Sequence, residues 1–286
     1  PERARLARRA QLALGGVYAE FRGFSAAECG AAYAAALALC RELDGAPELF
    51  PVLSGLGAFE ITRAELARSR ALADETLARA AEQDARPPFI MGHLLLGGTL
   101  FLTAELAAAR RHLDEALRLY EEERTRRRGR QVLYVQDQKG TGHCYLGLAL
   151  ALLGFPDSGL RVAQEGLAHA RSLGGAHAIN FSLCYLAATH CFRRDRSAAL
   201  RGATESLEMA REQGFATWTG VSQMIRGHAL AGGGDAAAGL AEIAAGLDAH
   251  RAIEALTYRP FGLALFAEAL AAADRPDEAL AAIAEA

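Results

Sequence analysis

The stretch FPDSGLRVAQEGLAHARSLG, residues 155–174, opens on Pro-Asp, places Leu160 and Leu167 one heptad apart and closes on Gly174. It is one copy of a repeat. Gly159-Leu160, Ala199-Leu200, Gly239-Leu240 and Ala279-Leu280 follow one another at a constant step of 40 residues. Leu167, Leu207 and Leu247 keep the same step, as do Leu37, Leu77 and Leu117, whereas Leu117 to Leu167 is 50. Ten extra residues therefore enter between them, and we place the insertion at about 124–137.

A small residue recurs twelve places before each of those Gly/Ala positions. Gly57, Gly97, Gly147, Ala187, Gly227 and Ala267 pair with Ser69, Ala109, Gly159, Ala199, Gly239 and Ala279. Two small residues in apolar helical segments, separated by a turn, are what a helical hairpin needs where its helices approach most closely. Asp157, Ser197 and Asp277 suit capping of the second helix, and Gly174 and Gly214 suit its termination. The spacing predicts about seven hairpins, at 4–42, 47–83, 88–123, 138–173, 176–213, 216–253 and 257–286. The first departs from the pattern, with Val17 and Cys29 where the small pair belongs. Hairpins that bury their apolar faces only by stacking make an α-solenoid. The expected fold is thus all-α, a right-handed superhelix of antiparallel hairpins forming a single domain over 1–286. The opening without Met and the ending ALAAIAEA, which lacks a polar cap, lead us to expect a fragment of a larger protein.

The 286 residues are 51% hydrophobic and 23% charged, with a net charge of −3, so neither nucleic acid nor a membrane is an expected partner. Apolar runs are broken by charges before reaching bilayer-spanning length. Cys29, Cys40, Cys144, Cys184 and Cys191 form no C-x-x-C pair and leave one over, which suits a reduced, cytoplasmic protein. Lys139 is the only lysine among many arginines, and with the alanine excess this suggests a GC-rich bacterial genome.

Leu56, Leu96, Leu146, Leu186 and Phe266 precede the first small residue, and Leu100, Leu150, Leu230 and Leu270 follow it by three. This arrangement resembles the tetratricopeptide (TPR) pattern, with Arg226 and Glu60 breaking it and the signature Trp and Pro missing. The longer period resembles the solenoids of bacterial signalling ATPases, including the maltotriose-responsive transcription activator. AAARRHLDEALRLYEEER at 107–124, YVQDQKG at 134–140 and YLGLALALLGFPDSGL at 145–160 are similar to the C-terminal repeat region of bacterial proteins that join a class III nucleotide cyclase to a signal-transduction P-loop ATPase. Gln138 after Asp137 departs from that family's Gln-Asp-Pro. The resemblance implies that any ATPase or cyclase chemistry lies upstream, for no G-x-x-x-x-G-K-[ST] occurs here.

No catalytic, cofactor or metal site is expected. Cys144, Cys184 and Met224 are repeat equivalents, which favours packing over zinc binding, and no Ser/His/Asp order suggests a nucleophile. The run RTRRRGR at 124–130 follows three glutamates and reads as a solvated segment or as intramolecular salt bridges, and QVLYVQDQ at 131–138 is expected to fold back onto the solenoid. Placing TPR groove positions on this chain selects Met91, Leu94, Phe101, Phe181, Cys184, Phe192, Val221, Met224, His228 and Phe261 as an apolar binding row. The expected function is a non-catalytic interaction and sensor scaffold. It would bind a protein or peptide segment, or its own upstream domains, and regulate an attached ATPase or nucleotide cyclase. One alternative is a small-molecule sensor built near Tyr134, Gln136 and Asp137. Another is a structural or oligomerisation solenoid.

Overall fold

The computed structural model describes residues 2–42, 46–83, 86–126 and 137–286. Among them are fourteen α-helices and no strand. They pair as α1 (Glu2–Arg22) with α2 (Ala27–Arg41), α3 (Leu49–Thr62) with α4 (Leu66–Gln83) and α5 (Arg86–Leu102) with α6 (Leu106–Arg126), and α7 (Gln138–Leu152) and α8 (Pro156–Leu173) follow in the chain. The series continues with α9 (Ala176–Phe192) and α10 (Arg196–Gln213), α11 (Ala216–Gly232) and α12 (Ala236–Ala252), and α13 (Arg259–Ala272) and α14 (Pro276–Glu285). The chain is an all-α, TPR-like helical repeat whose hairpins follow the 40-residue period. Its residues group into two compact units, Pro1–Ala149 and Leu150–Ala286, the division falling within α7. Grouping of this kind is natural in a repeat array, where each hairpin touches mainly its neighbours.

Within each unit the second helix of a hairpin packs on the first helix of the next, as α2 on α3, α4 on α5, α8 on α9 and α10 on α11. First helices also touch one another, α1 with α3 and α3 with α5 in the N-terminal unit, α9 with α11 and α11 with α13 in the C-terminal one. A first helix therefore has neighbours on several sides, and its sequence is apolar nearly all round, as in RPPFIMGHLLLGGTLFL of α5. A second helix keeps one solvated face, as the charge-striped LAAARRHLDEALRLYEEERTR of α6 does.

Six of the hairpin turns share one backbone device. Ala64, Ala104, Gly154, Arg194, Gly234 and Asp274 all have positive φ, between 59° and 106°. The next N–H in each case reaches back to the carbonyl five residues earlier, from Glu65 to Glu60 at 2.8 Å through Arg275 to Leu270 at 3.0 Å. This is the Schellman closure of a helix end, and it starts the second helix at once. Asp195 and Asp235 cap that helix, each accepting from an N–H three residues on (Ala198 and Ala238) at 3.1 Å. The expected caps lie two residues too late: Asp157 instead pairs with Arg193 at 2.7 Å. Gly174 and Gly214 do end α8 and α10 with positive φ.

The predicted small pair is buried throughout; Ser69, Ala109, Ala187 and Ala199 are at most 1% exposed. The first hairpin corrects the expected register. Val17 is half exposed, and the close approach falls at Gly15, whose carbonyl lies 3.6 Å from the Cys29 sulfur. Together with Leu6, Leu14 and Phe21, Val17 lines the outward face of α1.

Candidate functional site

In the C-terminal unit, α9, α11 and α13 carry a row of rings that ends in a charged cleft. At one end, Phe181 stacks on Tyr185 (centroids 4.5 Å apart) and meets Trp218 edge-on at 5.1 Å. Trp218 donates its indole N–H to His177 Nε2 at 3.1 Å, and the Tyr185 and Tyr258 hydroxyls are 3.1 Å apart. Further along, Phe192 and Phe261 lie with centroids 6.0 Å apart, and Phe192 is 43% exposed. Polar tips are satisfied, and the rings of Tyr185 and Trp218, 4% and 7% exposed, are packed into the interior beneath Phe181.

Beyond these rings opens a cleft of about 380 Å³, lined by Cys191, Arg194, Arg196, His228, Glu268 and a floor of alanines and Gly232. Arg194 donates to Glu268 at 2.8 Å, so the end of α9 is tied to α13. His228 Nε2 lies 2.9 Å from the same carboxylate. A carboxylate can only accept, so Nε2 carries the proton and Nδ1 faces the Cys191 thiol at 3.9 Å. Burial pushes the Glu268 carboxyl up, but the hydrogen bonds from His228 and Arg194 outweigh it and hold the group below its ordinary range. Burial, with Glu268 nearby, pushes the Cys191 thiol up to about 12, so it is a packing group and not a nucleophile.

The structure divides the ten residues of the expected apolar row. Met91, Leu94, Cys184, Val221 and Met224 are between 0% and 8% exposed and belong to the core, which corrects their assignment to a binding surface. Met91 packs with Phe50, Ala80 and Phe89. Leu94 packs against Gly142, and the Met224 thioether fills the space that Gly246 and Gly262 leave open. Cys184 joins a buried polar network, its sulfur 3.0 Å from the Ser206 hydroxyl and 3.3 Å from that of Ser222. Asn180 completes the network, donating to the Ser206 carbonyl at 2.7 Å. Phe192 stays exposed, and Phe181, His228 and Phe261 are half-buried in the row just described. Phe101, in the N-terminal unit, is half-buried against Tyr145 at 5.7 Å.

Of the three motif positions, Tyr134 and Gln136 lie outside the described residues, as does most of the insertion. Asp137 caps α7, its carboxylate accepting from the Gly140 N–H at 3.1 Å. The described part of the basic run forms helix salt bridges, Arg124 with Glu121 and Arg126 with Glu123, both at 2.8 Å. Among the described residues no group of three or more His, Cys, Asp and Glu is placed to hold a metal, and no helix is long and apolar enough to cross a membrane. Sequence reading missed a His93–His112 pair, whose Nδ1 atoms lie 2.9 Å apart between α5 and α6. It also missed the Arg194–His228–Glu268 cluster, although Arg194 holds the turn position of the repeat and Glu268 stands one period after His228.

No family model and no curated protein matches the sequence. A solved structure of a Rap protein complexed with competence and sporulation factor is similar at a TM-score of 0.77, with 13% identity, covering 98% of this chain and 74% of that one. At such identity the likeness is one of fold. The TPR2AB domain of yeast Sti1 in its pHSP90 complex (TM-score 0.36, 13% identity, 92% and 98% covered) and the Cut9–Hcn1 hetero-tetramer of the APC/C (0.41, 14%, 91% and 54%) match too loosely to inform it further.

Proposed function

We propose that the chain is a non-catalytic, peptide- or protein-binding repeat module, and that the row from Phe192 and Phe261 to the His228–Glu268–Arg194 cleft is its partner surface. The observation that carries this reading is an apolar ring pair, Phe192 exposed and Phe261 half-buried, beside a cleft with converging polar groups. The similar Rap structure holds competence and sporulation factor, a precedent for a binding role on this fold. Following the resemblance of residues 107–160, we extend the reading to a cytoplasmic sensor whose partner biases an ATPase or nucleotide cyclase of the same protein by favouring one arrangement of the repeats. The five cysteines, none of them in a disulfide, suit a reduced compartment.

Selection of displayed peptides against the chain tests this, with a Phe192→Ser/Phe261→Ser variant checked by circular dichroism as the comparison. Peptides that bind the parent and not the folded variant support the site. Peptides that bind both equally place the partner surface elsewhere. Met224→Glu is unsuitable here, because it would bury a carboxylate in the core.

The cleft volume of about 380 Å³ also lies within the range of small-molecule sites, which favours a metabolite sensor as the second reading. Saturable thermal stabilisation by a metabolite that His228→Ala abolishes would select it.

A further inference from the structure

The chemistry of the occupant can be taken further if the cleft is the partner surface. We propose that it receives an acidic and apolar peptide segment, with one apolar side chain on the alanine floor and the carboxylate of a neighbouring Asp or Glu on Arg196.

Two observations meet at Arg196. It is the first residue of α10, exposed at the rim, and among the described residues it makes no hydrogen bond or ion pair. Its side chain nevertheless lies against the cleft wall, because a Cβ at Gly232 would come within 2.6 Å of its Nε. The missing side chain at Gly232 makes room for the guanidinium. The neighbouring carboxylates are already engaged. Glu268 accepts from Arg194 and His228, and Asp195 accepts from the Ala198 N–H as the cap of α10. The Arg196 guanidinium is thus left without a carboxylate partner, and its planar fork fits one in two parallel hydrogen bonds.

The floor sets the second requirement. Ala199, Ala229 and Ala269 are at most 3% exposed, so the bottom of the cleft is apolar and shallow and gives a buried polar side chain no partner. An apolar side chain suits it, and Phe192 and Phe261 extend the apolar surface for a following residue. Glu268 repels any second carboxylate placed on its side of the cleft, which confines the acid to the Arg196 side.

Short amidated fluorescent peptides pairing Asp or Glu with Phe, Leu or Ile, titrated against the whole chain beside their Asn and Gln counterparts, test this by anisotropy. We expect the acids to bind about tenfold tighter than the amides, with the advantage shrinking as salt rises. Arg196→Ala should erase that advantage, Gly232→Val should weaken it by crowding the guanidinium, and Arg201→Ala, elsewhere on α10, should leave it intact. Equal binding of acids and amides, or an unchanged advantage in Arg196→Ala, would overturn the inference while leaving the partner surface standing. Binding only by peptides with a free C-terminal carboxylate would overturn it in favour of a chain end. No binding by any peptide would overturn it outright, and the display selection would then decide the broader reading.

Discussion

The two units use the same small residues in different ways. In the N-terminal unit glycines are sockets for large side chains: a Cβ at Gly15 or Gly55 would strike the Tyr33 ring at 2.8 and 2.3 Å, one at Gly30 the Phe59 ring at 2.5 Å, and one at Gly57 the Leu95 side chain at 2.4 Å. The C-terminal unit keeps sockets at Gly220 for His250 and at Gly262 for Met224, but between α11 and α12 backbone meets backbone. A Cβ at Gly227 or Gly239 would lie 2.5 Å from the carbonyl oxygen of the other, and one at Gly246 would lie 2.6 Å from that of Gly220. A repeat position thus demands smallness without fixing its use. Where the facing residue is large the site becomes a socket, and where it is small the helices close up.

The largest effect that should sharpen this contrast is Tyr33→Ala. It empties two sockets at once and should cost about 3–5 kcal/mol by denaturant unfolding; a loss under about 1 kcal/mol would show that the sockets collapse freely. Gly239→Val should cost about 2–4 kcal/mol, since an opposing backbone oxygen has no rotamer by which to yield. If Gly55→Ala proved as costly, the distinction between socket and backbone contact would fail. Asn180→Leu should cost about 2 kcal/mol, because the Ser206 hydroxyl loses its amide acceptor and the Ser206 carbonyl its amide donor in the C-terminal core. Tyr33→Phe, by contrast, removes a buried hydroxyl without a partner and should stabilise by about 1 kcal/mol.

Both units carry acid-sensitive histidines. Burial first lowers the pKa of His93, with His112 adding to it, and that of His112, with Arg111 adding to it, and burial lowers that of His190 and His250. His250 donates Nε2–H to the Thr217 carbonyl at 2.8 Å and leaves Nδ1 buried without a partner. A lowered folded pKa means that the stability these groups contribute is complete above the ordinary histidine value of 6.5 and is lost as pH falls below it. Melting temperature should therefore drop on acidification through that value, and His250→Gln should flatten the C-terminal contribution. A melting temperature unchanged down to pH ~5 would contradict the assigned neutral forms. The smallest effect belongs to the turns. Ala64→Gly or Ala104→Gly should stabilise by about 0.5 kcal/mol, relief of the left-handed conformation slightly exceeding the entropic cost of glycine.

The hairpins were legible because period and turn spacing survive any error in helical phase: 176–213 was read, and α9 with α10 spans those residues with a turn at 193–195. The partner surface was legible only in part. A first helix that is apolar all round has no polar face from which to set its phase, so Met224 and Val221 were indistinguishable from Phe261 by sequence, although the first two are core. The caps were misread by two residues because the left-handed turn position is glycine in only two of its six copies, Gly154 and Gly234. The cleft needed three dimensions, since Arg194 and Glu268 are 74 residues apart.

That same contact alters how the C-terminal unit should come apart. An array bonded only between neighbours peels from one end, hairpin after hairpin. Here the Arg194–Glu268 and Tyr185–Tyr258 bonds reach past α11, stitching the flanking hairpins together over the middle one. Under a pulling force α13 is the rivet: once α14 has peeled away, the hairpins from α9 to α13 must resist together and let go in one event.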